Sequence, residues 1–145
     1  MPVAKHFAIR AHWVRELVEN LTVIGYGATL RMWREDYARP PYPKGEWRMG
    51  LSLRGVRNVG VFGLTIIGSG GDGLYLDASE QHKGEPTARF DCEDVVIRDV
   101  QSLANFRQGA SFIGAANVSI PHSVCADTAG TPPAATNCVV ASSGR

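Results

Sequence analysis

Short runs rich in β-branched residues recur along the chain, and each is opened by a polar Asn or Asp. The runs read NLTVIG from Asn20, NVGVFG from Asn58, DVVIRD from Asp94 and NVSIPH from Asn117. Valine, isoleucine and threonine favour strands, whereas Asn and Asp tolerate the left-handed backbone of a sharp corner. The pattern therefore predicts short strands that begin at corners, with the stacked Asn side chains satisfying one another's amides.

The strands recur at a fixed period. The segment from Gly50 to Asn58 repeats the glycine, serine and asparagine spacing of the segment from Gly109 to Asn117, and the unit from Asp94 to Asn117 is 23 residues long. A period in the twenties indicates a stacked solenoid. Leucine-rich repeats share that length, but their leucine spacing and helical half are missing. Parallel β-helix coils, stacked about 4.8 Å apart, fit better, so we predict an all-β fold of about four coils.

Period-two alternation assigns an inner and an outer face to each strand. After Gly73, the side chains of Leu74 and Leu76 are expected to point inward, and those of Tyr75 and Asp77 outward. The same register predicts two further sets of buried residues: Leu51, Leu53, Ala110 and Phe112 on one wall, and Val59, Val61, Val95, Ile97, Val118 and Ile120 on a second.

Two insertions interrupt the period. One, near residues 34–48, is aromatic and proline-rich, and the other, near residues 77–91, is polar and charged. Loops of this size on a rigid scaffold often carry function. From residue 125 onward the pattern is lost in favour of Ala, Thr, Ser and Pro. We therefore predict an incomplete solenoid domain over residues 1–124 and an irregular, poorly ordered tail over residues 125–145.

The composition of the chain argues against several classes of function. The 15 Lys and Arg residues against 14 Asp and Glu leave a net charge of +1, which gives no support to nucleic-acid or membrane-surface binding. Hydrophobic content of 44% excludes disorder for most of the length. Three cysteines cannot all pair internally, so no disulfide framework is expected. No apolar run is long enough to span a bilayer, and residues 1–19 lack the apolar stretch of a signal peptide.

Most of the chain resembles the right-handed parallel β-helix proteins of the pectin-lyase-like superfamily, and in particular the bacterial right-handed β-helix repeat proteins. The resemblance covers residues 20–133 and is carried by NLTVIGYGATLRMW (20–33), EWRMGLSLRG (46–55), SGGDGLYL (69–76), CEDVVIRDV (92–100) and NFRQGASFIGAANVSI (105–120). The runs SGGDG and FRQG are fairly specific to this group. Strands of the Asn-Val-x-Ile type occur in all β-helices.

The resemblance implies a right-handed parallel β-helix, an extracellular or periplasmic location, and binding to or action on a polysaccharide. It implies no single reaction, because the superfamily contains lyases, hydrolases, epimerases and non-catalytic adhesins. Relatives continue for several more coils and usually begin with a secretion signal. We therefore expect a fragment that keeps about four coils of a longer protein.

Stacking the coils converts sequence positions into neighbours. The glycines that precede strands are expected to share one column: Gly50, Gly73 and Gly109. In that register Asp72 lies between Arg48 and Arg107, with glycines clearing the space around it. Two guanidinium groups about 10 Å apart, one coil on either side, suit a chain of uronate or sulfate groups, which arginine binds bidentately.

Two reactions are compatible with this cluster. β-Elimination from a uronate requires a cation, which either arginine can supply, and a base, for which Asp72, Tyr75 and His82 are available. Hydrolysis requires two carboxylates about 5–5.5 Å or 6.5–9.5 Å apart, and Asp72 could pair with Asp77 or Glu46. The candidate catalytic residues are Asp72, Arg107 and Arg48, and the candidate substrate-binding residues are Glu46, Trp47, Tyr75, Asp77 and Gln108.

Alternatives remain open at this point. Asp72 and the two arginines also suit an ion-pair ladder with no reaction, in which case the chain is a non-catalytic structural or adhesin-like module. The aromatic residues of the first insertion suit stacking on sugars or capping of the apolar end equally well. A further possibility is that the chain has no activity by itself, because the ends of an incomplete solenoid expose unpaired strand edges. No cofactor or metal is expected. The predicted partner is an acidic polysaccharide.

Overall fold

The chain consists almost entirely of short strands. The computed structural model describes residues 18–43, 45, 47–80, 89–128 and 138–140. The described elements, in chain order, are β1 (Glu19–Ile24), β2 (Thr29–Arg31), α1 (Arg34–Tyr37), β3 (Leu51–Arg54), β4 (Arg57–Phe62), β5 (Thr65–Ile67), β6 (Leu74–Asp77), β7 (Ser79–Glu80), β8 (Arg89–Phe90), β9 (Cys92–Arg98), β10 (Gln101–Leu103), β11 (Ala110–Phe112), β12 (Ala115–Ser119), β13 (Val124–Ala126) and β14 (Cys138–Val140). No described helix is long and apolar enough to cross a bilayer.

Twelve of these strands form three four-stranded parallel sheets. Sheet A has the order β1-β4-β9-β12, sheet B the order β2-β5-β10-β13 and sheet C the order β3-β6-β11-β14. The chain thus passes through A, B and C in rotation, and we call the four passages turns 1 to 4. Helix α1 lies in the first predicted insertion, and the antiparallel β7–β8 pair lies in the second. The prediction of parallel strands in a nearly all-β chain is confirmed, and the arrangement is compatible with a solenoid.

Successive turns are aligned as the glycine spacing predicts. Leu74 of turn 2 pairs with Leu51 of turn 1 and with Ala110 of turn 3, so the glycines before these residues share one column. At Gly73 a side chain would collide with the hydroxyl of Ser102 and would lie 2.7 Å from the carbonyl oxygen of the glycine in turn 3. The main chains of neighbouring turns approach too closely here for any residue but glycine.

The core lies between the three sheets. Of the residues predicted to face inward, those in turns 2 and 3 and Leu53 of turn 1 are buried, whereas Leu51 of turn 1 and Val118 and Ile120 of turn 4 are partly buried. Sheet B contributes Ile66, which is fully buried. The buried apolar residues are Leu53, Val56, Val59, Val61, Leu64, Ile66, Leu74, Leu76, Cys92, Val95, Ile97, Val100, Ala110 and Phe112.

The polar residues predicted to open the strands of sheet A lie one or two residues inside them, in the left-handed conformation. Their φ angles are 57° at Asn20, 50° at Asn58, 55° at Asp94 and 54° at Asn117. Asn58 donates its side-chain amide to Asn20 Oδ1 at 2.6 Å, and Asn117 donates to Asp94 Oδ1 at 3.1 Å. The left-handed backbone is as the sequence predicts, because Asn and Asp adopt positive φ more readily than other residues with a Cβ, but each strand begins one or two residues before this position.

Residues 125–145, for which an irregular tail was predicted, include strand residues. Val124–Ala126 pairs with β10 in sheet B, and Cys138–Val140 pairs with β11 in sheet C. The Cys-Val-Val sequence at 138–140 suits a strand. The predicted boundary between residues 124 and 125 thus falls inside strand β13.

Cys92 is a free cysteine buried in the core, whereas Cys125 is disulfide-bonded. Desolvation raises the pKa of the Cys92 thiol, against hydrogen bonds from the backbone at Val56 and Gly55 that lower it. The thiolate is the reactive form of cysteine. Cys92 therefore behaves as a small apolar residue of the core.

We expect Cys92 to react slowly with iodoacetamide in the native protein at mildly alkaline pH, because burial blocks access and the raised pKa lowers the thiolate fraction. Unfolding in urea should accelerate alkylation by orders of magnitude, measured by mass spectrometry without reductant. Equal rates in the two states would contradict the burial of this thiol.

Matched isoleucine substitutions test where the core lies. Ile66→Ala should lower the free energy of unfolding by about 2–5 kcal/mol because it opens a cavity among fully buried residues. Ile24→Ala, at a side chain that is 74% exposed, should change it by no more than about 0.5 kcal/mol. Urea denaturation followed by circular dichroism measures both, and equal losses would contradict the described core.

Candidate functional site

Five of the predicted site residues, Trp47, Arg48, Asp72, Arg107 and Gln108, belong to the corner between sheets B and C. We use the name corner site for residues 47–50, 68–73 and 104–109, which precede β3, β6 and β11. Backbone hydrogen bonds of 2.9 Å from Gly50 N to Asp72 O and from Gly73 N to Gln108 O keep the three segments in register. Arg107 N likewise donates to Gly71 O at 3.1 Å. The backbone of the corner site therefore has the register from which the cluster was predicted.

Asp72 and Arg107 form an ion pair at the corner site. Arg107 Nε lies 3.5 Å from Asp72 Oδ1. The carboxylate is fully buried, whereas 34% of the Arg107 side chain is exposed. Arginine can hold one anion while it offers other N–H groups to a second. The pair thus presents a cation at the surface that is fixed from beneath by a carboxylate.

Arg48, which the sequence places on the other side of Asp72, points into the first insertion instead. Its guanidinium donates to Pro43 O at 2.8 Å and to Gly45 O at 3.3 Å. It also lies over three rings, with distances from Arg48 Cζ to the ring centroids of 5.2 Å for Tyr37, 5.6 Å for Tyr42 and 5.4 Å for Trp47. The negative faces of aromatic rings attract a guanidinium. The prediction of two arginines flanking Asp72 must therefore be corrected, since the structure places Arg107 beside Asp72 and Arg48 among the aromatic residues.

The first insertion is held against the corner site by a glycine and an arginine. A side chain at Gly70 would collide with the ring of Tyr37, because the ring packs directly on the main chain of turn 2. Arg34 of α1 donates to Asn105 O at 3.3 Å and to Asp127 O at 3.4 Å, which belong to turns 3 and 4. An insertion that leaves the scaffold at turn 1 thus contacts all the later turns.

A buried polar network lies behind the corner site. Asn105 is fully buried, accepts a hydrogen bond from Ser69 N at 3.1 Å and donates to Ser102 Oγ at 2.9 Å. Ser102 donates in turn to Gly109 O at 2.5 Å. Buried polar groups of this kind are costly unless paired. The network fixes the main chain on which Asp72 and Arg107 lie, and sequence reasoning missed Ser102.

Tyr75 and Asp77 lie on the outer face of sheet C. The Tyr75 hydroxyl donates to Asp77 Oδ2 at 2.8 Å, and the guanidinium of Arg54 lies 5.5 Å from the ring centroid. The tyrosine is only 9% exposed, because these neighbours cover an outward-facing residue. Desolvation, followed by the Asp77 hydrogen bond, raises the pKa of Tyr75, so its hydroxyl stays protonated at neutral pH and cannot serve as the base.

The remaining candidates have separate surroundings. Gln108 Oε1 accepts a hydrogen bond from Ser111 Oγ at 3.1 Å. Trp47 is 63% exposed beside Arg48. Glu46 and His82 lie outside the described residues. Across the part of the chain that the structure describes, no three His, Cys, Asp or Glu side chains are grouped to hold a metal ion.

Comparisons with known proteins add little to this description. No family model and no curated protein matches the chain. A solved structure described as "Crystal structure of Agl-KA catalytic domain" is similar to 60% of this chain, with a TM-score of 0.43 and 15% sequence identity. The similar region spans 14% of that protein. A proposal for the function therefore rests on the side chains of this chain.

A double-mutant cycle tests the ion pair of the corner site. Asp72→Asn should lower the free energy of unfolding by about 1–3 kcal/mol because Arg107 loses its buried partner. Combined with Arg107→Gln, the cycle should give a coupling of about 1 kcal/mol in urea denaturation.

The Arg57–Glu93 pair is the matched control, since its Nε–Oε2 distance is also 3.5 Å but both side chains are well exposed. Its coupling should stay below about 0.5 kcal/mol. Equal couplings for the two pairs would show that the burial of Asp72 contributes nothing.

Proposed function

We propose that the chain is part of a right-handed parallel β-helix and that its corner site binds an acidic polysaccharide. The regular passage through sheets A, B and C supports the fold, since each turn adds one strand to each sheet. The turns of the scaffold repeat at a regular spacing, which suits a ligand that is itself a repeating polymer. Successive turns lie about 4.8 Å apart, so side chains on turns 1 and 3 meet a bound chain at points about 10 Å apart.

The observation that carries the proposal is the pairing of a fixed cation with exposed aromatic rings. Arg107 is held by Asp72 and remains one-third exposed. Trp47 is 63% exposed and Tyr42 is 45% exposed on the neighbouring insertion. Uronate residues offer a carboxylate to an arginine and an apolar ring face to an aromatic side chain. In this proposal Arg107 binds the carboxylate, Trp47 stacks on an adjacent sugar, and Arg48 orients the rings and adds positive charge.

Binding is better supported than cleavage. Asp72 has the position of a catalytic carboxylate in the sequence-based hypothesis, but its side chain is fully buried beneath Arg107. A base must lie within hydrogen-bond reach of the proton that it removes. We therefore assign Asp72 the role of orienting Arg107. A non-catalytic structural or adhesin-like module is one of the alternatives raised by the sequence, and an adhesin-like module fits this arrangement. A polysaccharide ligand agrees with an extracellular or periplasmic location.

Titration with polygalacturonate, alginate and heparin oligosaccharides tests the proposal. One of these ligands should bind, and Arg107→Gln should weaken its binding by about tenfold, because a charge-assisted hydrogen bond is lost. Trp47→Ala should weaken it several-fold by removing the stacking surface. Isothermal titration calorimetry at two salt concentrations measures both effects.

Arg98→Gln is the control. Arg98 is an exposed residue of sheet A, so the change removes one positive charge from the surface away from the corner site. It should leave the affinity unchanged. The proposal fails if no ligand binds, or if Arg98→Gln and Arg107→Gln weaken binding equally. Ultraviolet absorbance of unsaturated sugars, followed in the same samples, would reveal any lyase activity and would overturn the assignment of binding without cleavage.

A further inference from the structure

A groove of about 230 Å³ lies on the outer face of sheet A, away from the corner site. Val59 and Val61 of β4 point into the core, so Asn58, Gly60 and Phe62 of the same strand face outward. The groove is lined by Asn20, Thr22, Asn58, Val59, Gly60, Phe62, Asp94 and Val96. This volume is smaller than the roughly 300 Å³ at which pockets for drug-sized ligands begin. It suits a ligand of a single ring.

One side of the groove is a ladder of corner side chains whose hydrogen bonds run in one direction. Asn58 Nδ2 donates to Asn20 Oδ1 in turn 1. The side-chain oxygen of Asn58, an acceptor, is therefore the amide atom that is available to turn 3. The residue at this level in turn 3 is Asp94, because Val59 pairs with Val95. An asparagine there would donate to Asn58. An ionised aspartate has no donor.

The ladder is therefore interrupted between Asn58 and Asp94. Asp94 Oδ1 accepts from Asn117 Nδ2 in turn 4. Among the described residues, no side-chain hydrogen bond joins Asn58 to Asp94. Two acceptors, an amide oxygen and a carboxylate, thus border the groove at neighbouring turns. A ligand that supplies hydroxyl donors would satisfy both acceptors.

The floor of the groove is aromatic. A side chain at Gly60 would lie 2.5 Å from Phe62 Cε2, so the ring of Phe62 lies across the glycine on the outer face of the strand. Phe62 is partly exposed, and Thr22 and Val96 of the adjacent strands line the same groove. An aromatic ring beside hydrogen-bond acceptors matches a sugar, which has an apolar ring face and hydroxyl groups at its edge.

We propose that this groove binds an uncharged pyranose sugar, which stacks on Phe62 and donates hydroxyl hydrogens to Asn58 and Asp94. The site differs from the corner site in its location and in its chemistry, since it offers acceptors and a carboxylate where the corner site offers guanidinium groups. A uronate is disfavoured here because its carboxylate would meet the negative charge of Asp94. The two proposals are therefore independent.

Titration of the isotope-labelled full chain with methyl glucoside, methyl galactoside and methyl xyloside tests the proposal by NMR. At least one glycoside should cause saturable shifts of the Asn58, Gly60 and Phe62 amides, with a dissociation constant in the millimolar range. Phe62→Leu should weaken that binding by about tenfold through loss of the stacking surface.

Asp94→Asn is the decisive variant, because the new amide can donate to Asn58 and complete the ladder. It should raise the urea midpoint and abolish the shifts, so a failure to fold cannot be mistaken for a failure to bind. Asp99→Asn, which removes a carboxylate just after the end of β9, should bind as the unchanged protein does. Absence of saturable shifts in the unchanged protein, or binding retained by Asp94→Asn, would overturn the proposal. Shifts confined to Trp47 and Arg107 would concern the corner site and would also overturn it.

Discussion

The structure depends on in-register hydrogen bonding between the main chains of successive turns. Parallel pairing at Leu51, Leu74 and Ala110 sets which residues of turns 1, 2 and 3 become neighbours. The pairing tolerates little variation, since Gly73 has no room for a side chain between the turns. The Asp72–Arg107 contact of the corner site is a result of this alignment. Asp72 and Arg107 are 35 positions apart in the sequence, yet they meet because their turns are adjacent.

The repeating part of the fold could be predicted from the sequence because its determinants are local. Each corner requires a residue that accepts positive φ, and Asn20, Asn58 and Asp94 mark these positions in the sequence. Alternation then identifies the inner face, because a strand exposes every second side chain to the core. The alignment of the glycine column follows from counting residues. The handedness of the turns came from resemblance to a family, and remains a proposal.

The candidate site could be predicted only in part, because half of it is not repetitive. The position of Arg107 beside Asp72 follows from the register. The direction of Arg48 does not, since it depends on how Tyr37, Tyr42 and Trp47 fold back within an insertion that has no counterpart in the other turns. Tyr75 was expected on the surface, and its position on the outer face is as predicted. Its burial arises from the long side chain of Arg54, which alternation does not describe.

The contacts of Arg34 give the first insertion a mechanical role. By donating to carbonyl oxygens of Asn105 and Asp127, this side chain bridges from the beginning of the scaffold to turns 3 and 4. Turns of a solenoid otherwise interact with their nearest neighbours, and fraying can start at either end. The Arg34 side chain thus links several turns, so separation of turn 4 would also disturb the aromatic residues of the first insertion.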